Sequence, residues 1–342
     1  MDHKLLQLLD PYRAISIIGM CKNAGKTTVL NRLIRAFARH GETLALTSIG
    51  RDGEDQDRVT GTKKPGIYIP EGTLAATAAD LLLHHCDVSK EILDTTGIST
   101  PMGQVVLLRA HSDGAIELAG PSMVSQLAQL REKFTEFGAD RVLIDGALSR
   151  KSLCSRRVSD ATILCTGASY HKDLDTVVAD TAYHCRLLTL PLADEPLLAQ
   201  IAEDRRDNLV VTNQGLWPVP AGMALEDALR CEEAADARAV FFGGALTDLG
   251  VRPLILSGKS MQGMKLVVRD SSKILLKQEN FEKLQRKGVQ IQALESVNLV
   301  ALTVNPFSAY GLHFDGAAFL EKMQEKVALP VLNVMEEGAI WR

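Results

Sequence analysis

A glycine-rich segment that ends in Lys-Thr-Thr carries the most specific chemistry in this sequence. It reads GMCKNAGKTT over residues 19–28, after the apolar run Ala14–Ile18 and before apolar residues at helical spacing. Backbone N–H groups at such a strand-to-helix junction bind phosphate groups, because the helix dipole favours negative charge there. The segment therefore predicts a nucleotide phosphate loop, although the standard position of the first glycine holds Met20, one place after Gly19.

The residue types of this loop have expected roles. Gly25 permits a backbone turn that a side chain would obstruct. Lys26 can reach the β- and γ-phosphates and is the expected catalytic residue, and the Thr27 hydroxyl can ligate Mg²⁺. The residues expected to contact the nucleotide are Lys22, Asn23, Ala24, Gly25, Lys26, Thr27 and Thr28.

A phosphate loop also needs a carboxylate from a neighbouring strand to hold Mg²⁺ or its water. Asp145 ends the apolar run 141–144 and is the first candidate; alternatively it begins the turn Asp-Gly-Ala. Asp52 lies in the polar segment 51–65, after the second predicted strand. It is either a catalytic metal-binding or water-positioning group or part of a solvated acidic face.

Two other sets of residues have less specific patterns. The segment TGASY (166–170) follows a predicted strand, and its Gly167 and Ser169 either meet the nucleotide base or form an ordinary strand-to-helix turn. His84 and His85 resemble a metal site only superficially, since adjacent residues on a helix face different ways. We expect them to lie at the surface, at the end of a helix.

Alternating strands and helices are expected to position these residues. Strands are predicted at 14–18, 43–49, 141–145 and 161–165, and helices at 26–40, 73–85, 122–137 and 173–188. The runs 104–110 and 115–119 flank Ser112–Gly114 and predict a hairpin. The alternation implies an α/β fold with a mainly parallel sheet and helices on both faces.

Length and composition fit two α/β domains. The 342 residues are 46% hydrophobic and 23% charged, enough for two cores. The strand pattern is lost over 191–208, so we predict a P-loop nucleotide-binding domain at residues 1–195 and a second α/β domain, of unknown ligand and expected to bind a partner, at 196–342. Strands of the second domain are predicted at 209–212, 239–242, 264–269, 289–293, 298–304 and 331–335.

Charge and hydropathy exclude several classes of protein. The formal net charge is −4 and no basic block is present, which argues against nucleic acid as a ligand. The six cysteines show no CxxC pair and no zinc spacing, as is typical of reduced thiols. No run approaches the ~18 apolar residues of a membrane span, and the N-terminus lacks the pattern of a signal peptide. We therefore expect a cytoplasmic protein that binds no membrane.

Several stretches resemble known families. KNAGKTT (22–28) is similar to the phosphate loop of the molybdopterin-guanine-dinucleotide accessory GTPases and their relatives, which include dethiobiotin synthetase. Longer stretches resemble the ATP-binding subunit of the reactivase for lysine 5,6-aminomutase, an enzyme of amino-acid fermentation that uses adenosylcobalamin and pyridoxal phosphate. These stretches are residues 47–78, 118–122, 144–152, 166–170 and 304–315.

This resemblance implies ATP hydrolysis that helps to exchange damaged cobalamin on a lysine or ornithine aminomutase, with a second, MutS-like ATPase subunit as partner. Lys26 and Thr27 match the family's phosphate-loop residues directly, whereas Asp52 and Asp145 are assigned by analogy. Related switch ATPases often have a further lysine five places before the catalytic lysine, where this chain has Cys21. Whether Lys22 acts across a homodimer instead stays open.

Three functions are compatible with the sequence. The first is a Mg²⁺- and ATP-dependent switch with slow intrinsic turnover, stimulated by a partner; GTP is the alternative nucleotide, although the guanine signature Asn-Lys-x-Asp is absent. The second is a ligase or kinase of the dethiobiotin synthetase type, with Lys63, Lys64 and Arg109 holding an anionic acceptor, or an accessory GTPase. The third is a nucleotide-stabilised assembly factor that does not hydrolyse its nucleotide.

Overall fold

A computed structural model of the chain describes residues 2–49, 66–146, 158–194, 196, 198, 201, 205, 207–256 and 261–335. The helices within these residues are α1 (Asp2–Leu9), α2 (Lys26–Arg39), α3 (Ala79–His84), α4 (Val124–Glu136), α5 (Leu174–Leu188), α6 (Leu225–Ala228), α7 (Asp248–Leu256), α8 (Gln278–Arg286) and α9 (Gly316–Lys326). The strands are β1 (Ala14–Gly19), β2 (Leu44–Ser48), β3 (Ile67–Ile69), β4 (Leu74–Ala78), β5 (Lys90–Thr100), β6 (Gly103–Ala110), β7 (Gly114–Ile116), β8 (Arg141–Asp145), β9 (Ala161–Gly167), β10 (Leu209–Thr212), β11 (Gly215–Pro218), β12 (Ala239–Phe242), β13 (Leu246–Thr247), β14 (Lys265–Val268), β15 (Ile274–Leu275), β16 (Gln290–Ala293), β17 (Leu299–Asn305) and β18 (Val331–Asn333).

The chain forms two compact units, and the first is discontinuous in sequence. Met1–Cys185 and Val297–Arg342 make up the first unit, and Arg186–Ser296 the second. This division differs from the predicted one, because the C-terminal part of the expected second domain, from Val297 onwards, belongs to the first unit. Strand patterns along a sequence identify β17 and β18 but do not reveal which sheet they join.

The first unit is built on a nine-stranded sheet with the order β18-β17-β9-β1-β8-β2-β4-β6-β5. Neighbouring strands from β18 to β4 are parallel, whereas β6 is antiparallel to both β4 and β5. The prediction of an α/β fold with a largely parallel sheet is therefore confirmed. A small two-stranded sheet of β3 and β7 completes the strands of this unit.

The central strand and its following helix show why this region of the sequence folds as it does. Every residue of β1 is buried, as expected for a parallel strand covered on both faces. Helix α2 buries one apolar stripe and leaves its polar residues at least partly exposed, with the exception of the buried Arg32. The buried apolar residues of this stripe are Val29, Leu30, Leu33, Ile34, Ala36 and Phe37. Each fully buried large side chain contributes about 1.5–3 kcal/mol to the free energy of unfolding.

Three local predictions were wrong. The expected helix 73–85 begins with the buried strand β4, and only Ala79–His84 is helical. Alanine favours a helix, but pairing of this segment with β2 and β6 overrides the local helical preference. The expected hairpin is absent, since β6 pairs with β4 and β5 while β7 pairs with β3. Helix α4 begins after Met123 rather than after Ser122.

The second unit is also α/β. Its five-stranded sheet has the order β11-β10-β12-β14-β16. Strands β12, β14 and β16 are parallel, and β10 is antiparallel to both of its neighbours. Within the described parts of the whole chain, none of the helices combines the length and apolar character needed to cross a bilayer.

Candidate functional site at the carboxyl ends of β1, β8 and β9

The carboxyl ends of three central strands meet at one edge of the large sheet. The register pairs Ile17 of β1 with Asp145 of β8, and Gly19 of β1 with Cys165 of β9. The chain runs from β1 to β2 on one side of β1 and later reaches β9 on its other side. Such a change of direction opens a crevice at the carboxyl ends of the strands, where open α/β sheets bind ligands.

The Lys26 side chain lies over the end of β1. Its Nζ donates a hydrogen bond to the carbonyl oxygen of Cys21 at 3.3 Å. A Cβ atom on Gly19 would lie 2.9 Å from Cγ and Cδ of Lys26 and 3.1 Å from its Nζ. The lysine thus fills the space that a side chain at position 19 would need. Gly19 therefore accommodates Lys26 in this conformation, one place before the standard glycine position, which Met20 occupies.

The backbone turns sharply between the loop and α2. Asn23 and Gly25 both adopt left-handed conformations, with φ of 60° and 96°. Gly25 is the N-cap of α2, and no side chain makes a capping hydrogen bond there. The first turn of α2 holds no acidic residue. The N–H groups at this helix end are therefore not used by a capping side chain, and no carboxylate of the first turn opposes an anion.

Of the nine residues that were expected to contact a nucleotide, seven lie in this loop and the first turn of α2, and Gly167 and Ser169 lie at and after the end of β9. Lys22 and Asn23 are exposed, and Ala24 is fully buried in the core beneath the loop. Lys26, Thr27 and Thr28 are partly exposed. Three polar residues at the N-terminus of α2 are therefore not fully buried.

Asp145 lies at the same edge, at the end of β8. Its neighbours in the sheet are Ile17 of β1 and Ser48 of β2, and its Oδ1 atom is buried. Burial raises the pKa of the nearby Cys165 thiol to about 11; a hydrogen bond with Thr303 and the charge of Lys26 lower this pKa, while the charge of Asp145 raises it. The charges of Lys26 and Asp145 therefore both act on the Cys165 thiol, so both groups lie near the same part of the sheet edge.

The segment 118–122 also lies at this edge. The backbone N–H of Gly120 donates to the Ser48 hydroxyl at 3.0 Å, at the carboxyl end of β2. Ala119 is held by the Thr77 hydroxyl, which accepts from its N–H at 2.8 Å. Because Ser48 is paired with Asp145, this segment borders the candidate metal carboxylate, a placement that sequence reasoning did not assign.

The loops after β9 and β17 form the other border of the site. A Cβ on Gly167 would lie 2.7 Å from the carbonyl oxygen of Asn305, so only glycine fits there. The Ser169 hydroxyl accepts from the N–H of Ala309 at 3.2 Å. Asn305 Nδ2 in turn donates to the carbonyl oxygen of Asn23 at 3.3 Å. Gly167 and Ser169 thus contact the loop after β17, and Asn305 connects that loop to the phosphate loop.

The loop after β17 is a turn with exposed aromatic side chains. The N–H of Ser308 donates to the carbonyl oxygen of Leu312 at 2.8 Å. The rings of Phe307 and His313 stack, with centroids 6.3 Å apart and planes 26° apart. Phe307 and Tyr310 are 52% and 59% exposed. Sequence reasoning noted this stretch only as part of a resemblance and missed its position, although an exposed aromatic pair after a strand is a usable signal.

Tyr170 is held beside the phosphate loop. Its hydroxyl donates to Oδ2 of Asp180 at 3.0 Å. The pKa of Tyr170 rises to about 12, first because of burial, then because of the hydrogen bond and charge of Asp180, with a smaller effect of Cys21 in the phosphate loop. Tyr170 is therefore a neutral hydrogen-bond donor over the whole neutral pH range.

Other residues singled out from the sequence do not join this site. Asp52, Lys63 and Lys64 lie outside the described residues. Arg109 pairs with Leu74 at the amino end of β4, and its Nη2 donates to Phe137 O at 3.1 Å. The register places Leu74 level with the start of β2, so Arg109 lies at the edge opposite the phosphate loop. The expectation that Arg109 holds an acceptor there is therefore wrong.

The histidine pair lies at the end of α3. His84 is the last helical residue and is exposed, and His85 is the C-cap. Among the described residues there is no group of three or more histidine, cysteine or acidic side chains arranged to hold a metal ion. Of the three residues predicted to bind magnesium, Thr27 and Asp145 lie among the described residues.

Comparisons with known proteins assign no family to the chain. No protein-family model matches the sequence, and no curated protein gives a significant match. Membership of the reactivase family stays a prediction. A function for this protein must therefore be argued from the geometry of the site.

Proposed function

We propose that this chain is a P-loop nucleoside triphosphatase that binds Mg-ATP at the junction of β1 and α2. The observation that carries the proposal is the Lys26 side chain folded over Gly19 at the start of an uncapped helix. A lysine in this position can reach phosphate oxygens while the N–H groups of the loop and helix surround them. A chance Gly-Lys-Thr sequence has no need of this close packing.

Residues at the site also fit a magnesium ion. Mg²⁺ takes hard oxygen ligands and is usually held by one or two protein groups together with phosphates and water. The Thr27 hydroxyl and the Asp145 carboxylate would hold it, directly or through water. Asp52 would be a further metal or water-positioning group. When bound, the metal ion would help to neutralise the charge that develops on the phosphates.

Catalysis by the chain's own groups would be mainly positional and electrostatic. The Lys26 ammonium and the N–H groups of α2 would stabilise negative charge on the phosphate oxygens. Asp145 would orient the metal's water, and Tyr170, whose one O–H donates to Asp180, would help to hold the border of the site. We expect slow intrinsic turnover that a partner protein stimulates.

The nucleotide is proposed to be ATP. The exposed rings of the loop after β17 offer flat apolar faces to a base next to the phosphate loop. Stacking accepts adenine and guanine alike, so the preference for ATP rests on the absence of a guanine signature in the sequence.

The proposed biological role is a subunit of a reactivating factor for an adenosylcobalamin-dependent lysine or ornithine aminomutase. A MutS-like ATPase subunit would be its partner, and ATP binding and hydrolysis would switch the partner-binding surface. The support for this role is the sequence resemblance over residues 47–78, 118–122 and 304–315. The stretch 304–315 contacts the phosphate loop through Asn305, and the stretch 118–122 contacts Ser48, the neighbour of Asp145 in the sheet.

The proposal is tested by nucleotide turnover with Mg²⁺, comparing ATP with GTP, in the wild type, Lys26→Ala and the exposed-lysine control Lys326→Ala. We expect turnover and nucleotide binding to be lost in Lys26→Ala alone. Adding the aminomutase and its MutS-like partner should raise wild-type turnover. No nucleotide binding by the wild type would refute the P-loop assignment.

Other outcomes would select the alternatives. A small acid or amine that raises turnover without any protein partner would favour a ligase or kinase. Nucleotide that binds but is never hydrolysed, with or without partners, would favour an assembly factor. Faster turnover of GTP than of ATP would favour an accessory GTPase.

A further inference from the structure

Arg32 of α2 is buried in the first unit. Only 5% of its surface is exposed, and it is the only Lys, Arg, Asp, Glu or His among the described residues that is buried to this degree. Its Nη1 donates a hydrogen bond to the carbonyl oxygen of Val334 at 2.9 Å. A guanidinium is costly to bury unless it is hydrogen-bonded, so this contact is a well-defined part of the fold.

Val334 is in contact with the phosphate loop. Its N–H donates to the carbonyl oxygen of Val304 at 3.0 Å, which extends the pairing of β17 beyond β18. A Cβ placed on Gly25 would lie 3.5 Å from Cγ2 of Val334 and 3.4 Å from Cβ of Asn305. The turn at Gly25 therefore packs against the end of β17 and the residue that follows β18.

These contacts connect Gly25, Arg32 and Val334 in a ring. Gly25 leads directly into α2, α2 carries Arg32, Arg32 binds the Val334 carbonyl, and the Val334 side chain packs back on Gly25. Hydrogen bonds to charged donors are about twice as strong as neutral ones. A shift of Val334 would remove the packing behind the turn that precedes Lys26.

We infer that Arg32 is a positioning residue for the phosphate site, because it holds Val334 against Gly25. This inference rests on the proposed nucleotide binding. The coupling must act in both directions: if the position of Val334 affects nucleotide binding, then nucleotide binding affects the position of Val334 equally. If Val334 stabilises the ligand-binding form of the loop, then nucleotide must slow hydrogen exchange at the Val334 amide.

The test measures Mg-ATP affinity by calorimetry and amide exchange over residues 331–335, with and without Mg-ATP. Arg32→Met is compared with Arg32→Lys and with Arg39→Met, an exposed arginine of the same helix. We expect Arg32→Met to weaken Mg-ATP binding about tenfold or more, the equivalent of one hydrogen bond to a charged group. Arg32→Lys should recover part of this loss, and Arg39→Met should match the wild type.

Amide exchange separates positioning from a purely structural role. In the wild type we expect Mg-ATP to slow exchange at Val334, and Lys26→Ala should abolish this protection. A folded Arg32→Met protein that binds Mg-ATP as tightly as the wild type would overturn the inference, even if its melting temperature fell. Wild-type protein that binds Mg-ATP without any change in exchange at Val334 would overturn it as well.

A variant that leaves Arg32 intact covers the case in which Arg32→Met does not fold. Val334→Ala removes the methyl groups behind Gly25, including Cγ2, but keeps the carbonyl that Arg32 binds. It should weaken Mg-ATP binding severalfold, and an unchanged affinity would count against the inference. If the wild type binds no nucleotide, the proposed function itself fails. If the wild type and the Arg32 and Val334 variants all bind nucleotide equally well, only the inference about Arg32 fails.

Discussion

The two units of this protein each contain a buried strand that leads through glycine into a helix, and the two junctions differ in charge. In the first unit, β1 leads to Gly25 and to α2, which has no acidic residue in its first turn. In the second unit, β12 is equally buried and is followed by Gly243 and Gly244, by the short strand β13 and then by α7, whose first residue is Asp248. Both junctions thus join a buried strand to a helix through glycine, but the first turn of α7 carries a negative charge and that of α2 does not.

That difference decides what each junction can bind. Asp248 Oδ1 accepts hydrogen bonds from Lys277 N at 3.0 Å and from Asn280 Nδ2 at 2.8 Å, so its carboxylate stabilises the start of α8. At α2, no capping side chain uses the helix N-terminus and Lys26 adds positive charge. A helix N-terminus attracts an anion only where an acidic side chain has not already satisfied it. Under the proposed function, charge in the first turn, rather than a glycine-rich junction, distinguishes the junction that binds phosphate from the one that does not.

The largest expected effect comes from giving α2 the acidic first turn of α7. Thr28→Asp should weaken Mg-ATP binding by roughly a hundredfold, because a carboxylate would face the triphosphate at close range. The melting temperature should stay the same or rise slightly, since an acidic residue at a helix N-terminus contributes about 0.3–1 kcal/mol.

Calorimetry and thermal unfolding of Thr28→Asp and the matched Thr28→Asn variant check this expectation. The asparagine variant should keep most of the affinity, because it adds no charge. Equal affinities in the two variants would show that charge in the first turn is not what separates the junctions.

The second effect concerns the backbone at the two junctions. Gly25→Ala should lower the free energy of unfolding by about 1–2 kcal/mol, because φ is 96° and an alanine there is strained. Gly244 has open space around it, so Gly244→Ala should change stability by less than about 0.5 kcal/mol. Urea denaturation of both variants tests the pair, and a neutral Gly25→Ala would contradict the requirement for a left-handed residue.

A smaller effect is expected from the acidic residue of the second unit. Asp248→Ala should lower the stability of that unit by about 1–2 kcal/mol, since two hydrogen bonds at the start of α8 are lost. Mg-ATP affinity should not change. Urea denaturation and calorimetry provide the measurement, and a loss of nucleotide affinity would mean that the second junction serves the nucleotide after all.

The smallest effect is a pH dependence confined to the first unit. The folded-state pKa of Tyr170 is about 12, above its ordinary value of 10, because of burial and the Asp180 hydrogen bond. A group whose folded pKa is raised contributes stability that is complete below pH 10 and is lost as pH rises towards 12.

Tyr170→Phe should therefore differ from the wild type in the slope of stability against pH only above about pH 10. Absorbance of tyrosinate during alkaline titration should show one group fewer with a midpoint near pH 12. A Tyr170 that titrates with the exposed tyrosines would disprove its hydrogen bond to Asp180.

Local sequence was enough to predict the strand, the loop and the helix around residues 19–28. The residues between Ile18 and Val29 are consecutive, so the strand, the glycines and the helix start could be recognised without any distant contact. The apolar strands β8 and β9 were recognisable for the same reason. Asp145 was correctly expected at the end of its strand. The pairing of β8 with β1 shows in addition that Asp145 lies next to Ile17, which sequence alone could not show.

Distant contacts could not be predicted. Asn305 binds the carbonyl oxygen of Asn23 across most of the chain, and no pattern near either residue indicates the other. The strand β4, LAATA, consists of small residues that fit a helix or a strand, and its partners β2 and β6 decide the outcome. The sequence also did not show that β6 runs antiparallel to β4, so Arg109 was assigned to the wrong edge of the sheet.

The discontinuity of the first unit has a consequence during protein synthesis. The ribosome makes the phosphate loop early, but the strands that support it, from Val297 onwards, emerge only after the second unit. At 5–20 residues per second, the second unit alone takes roughly 5 to 20 seconds to synthesise. A nascent chain thus carries all the phosphate-loop residues long before Asn305 and Val334 can pack against them. Nucleotide affinity would therefore appear late in synthesis and would distinguish finished molecules from truncated ones.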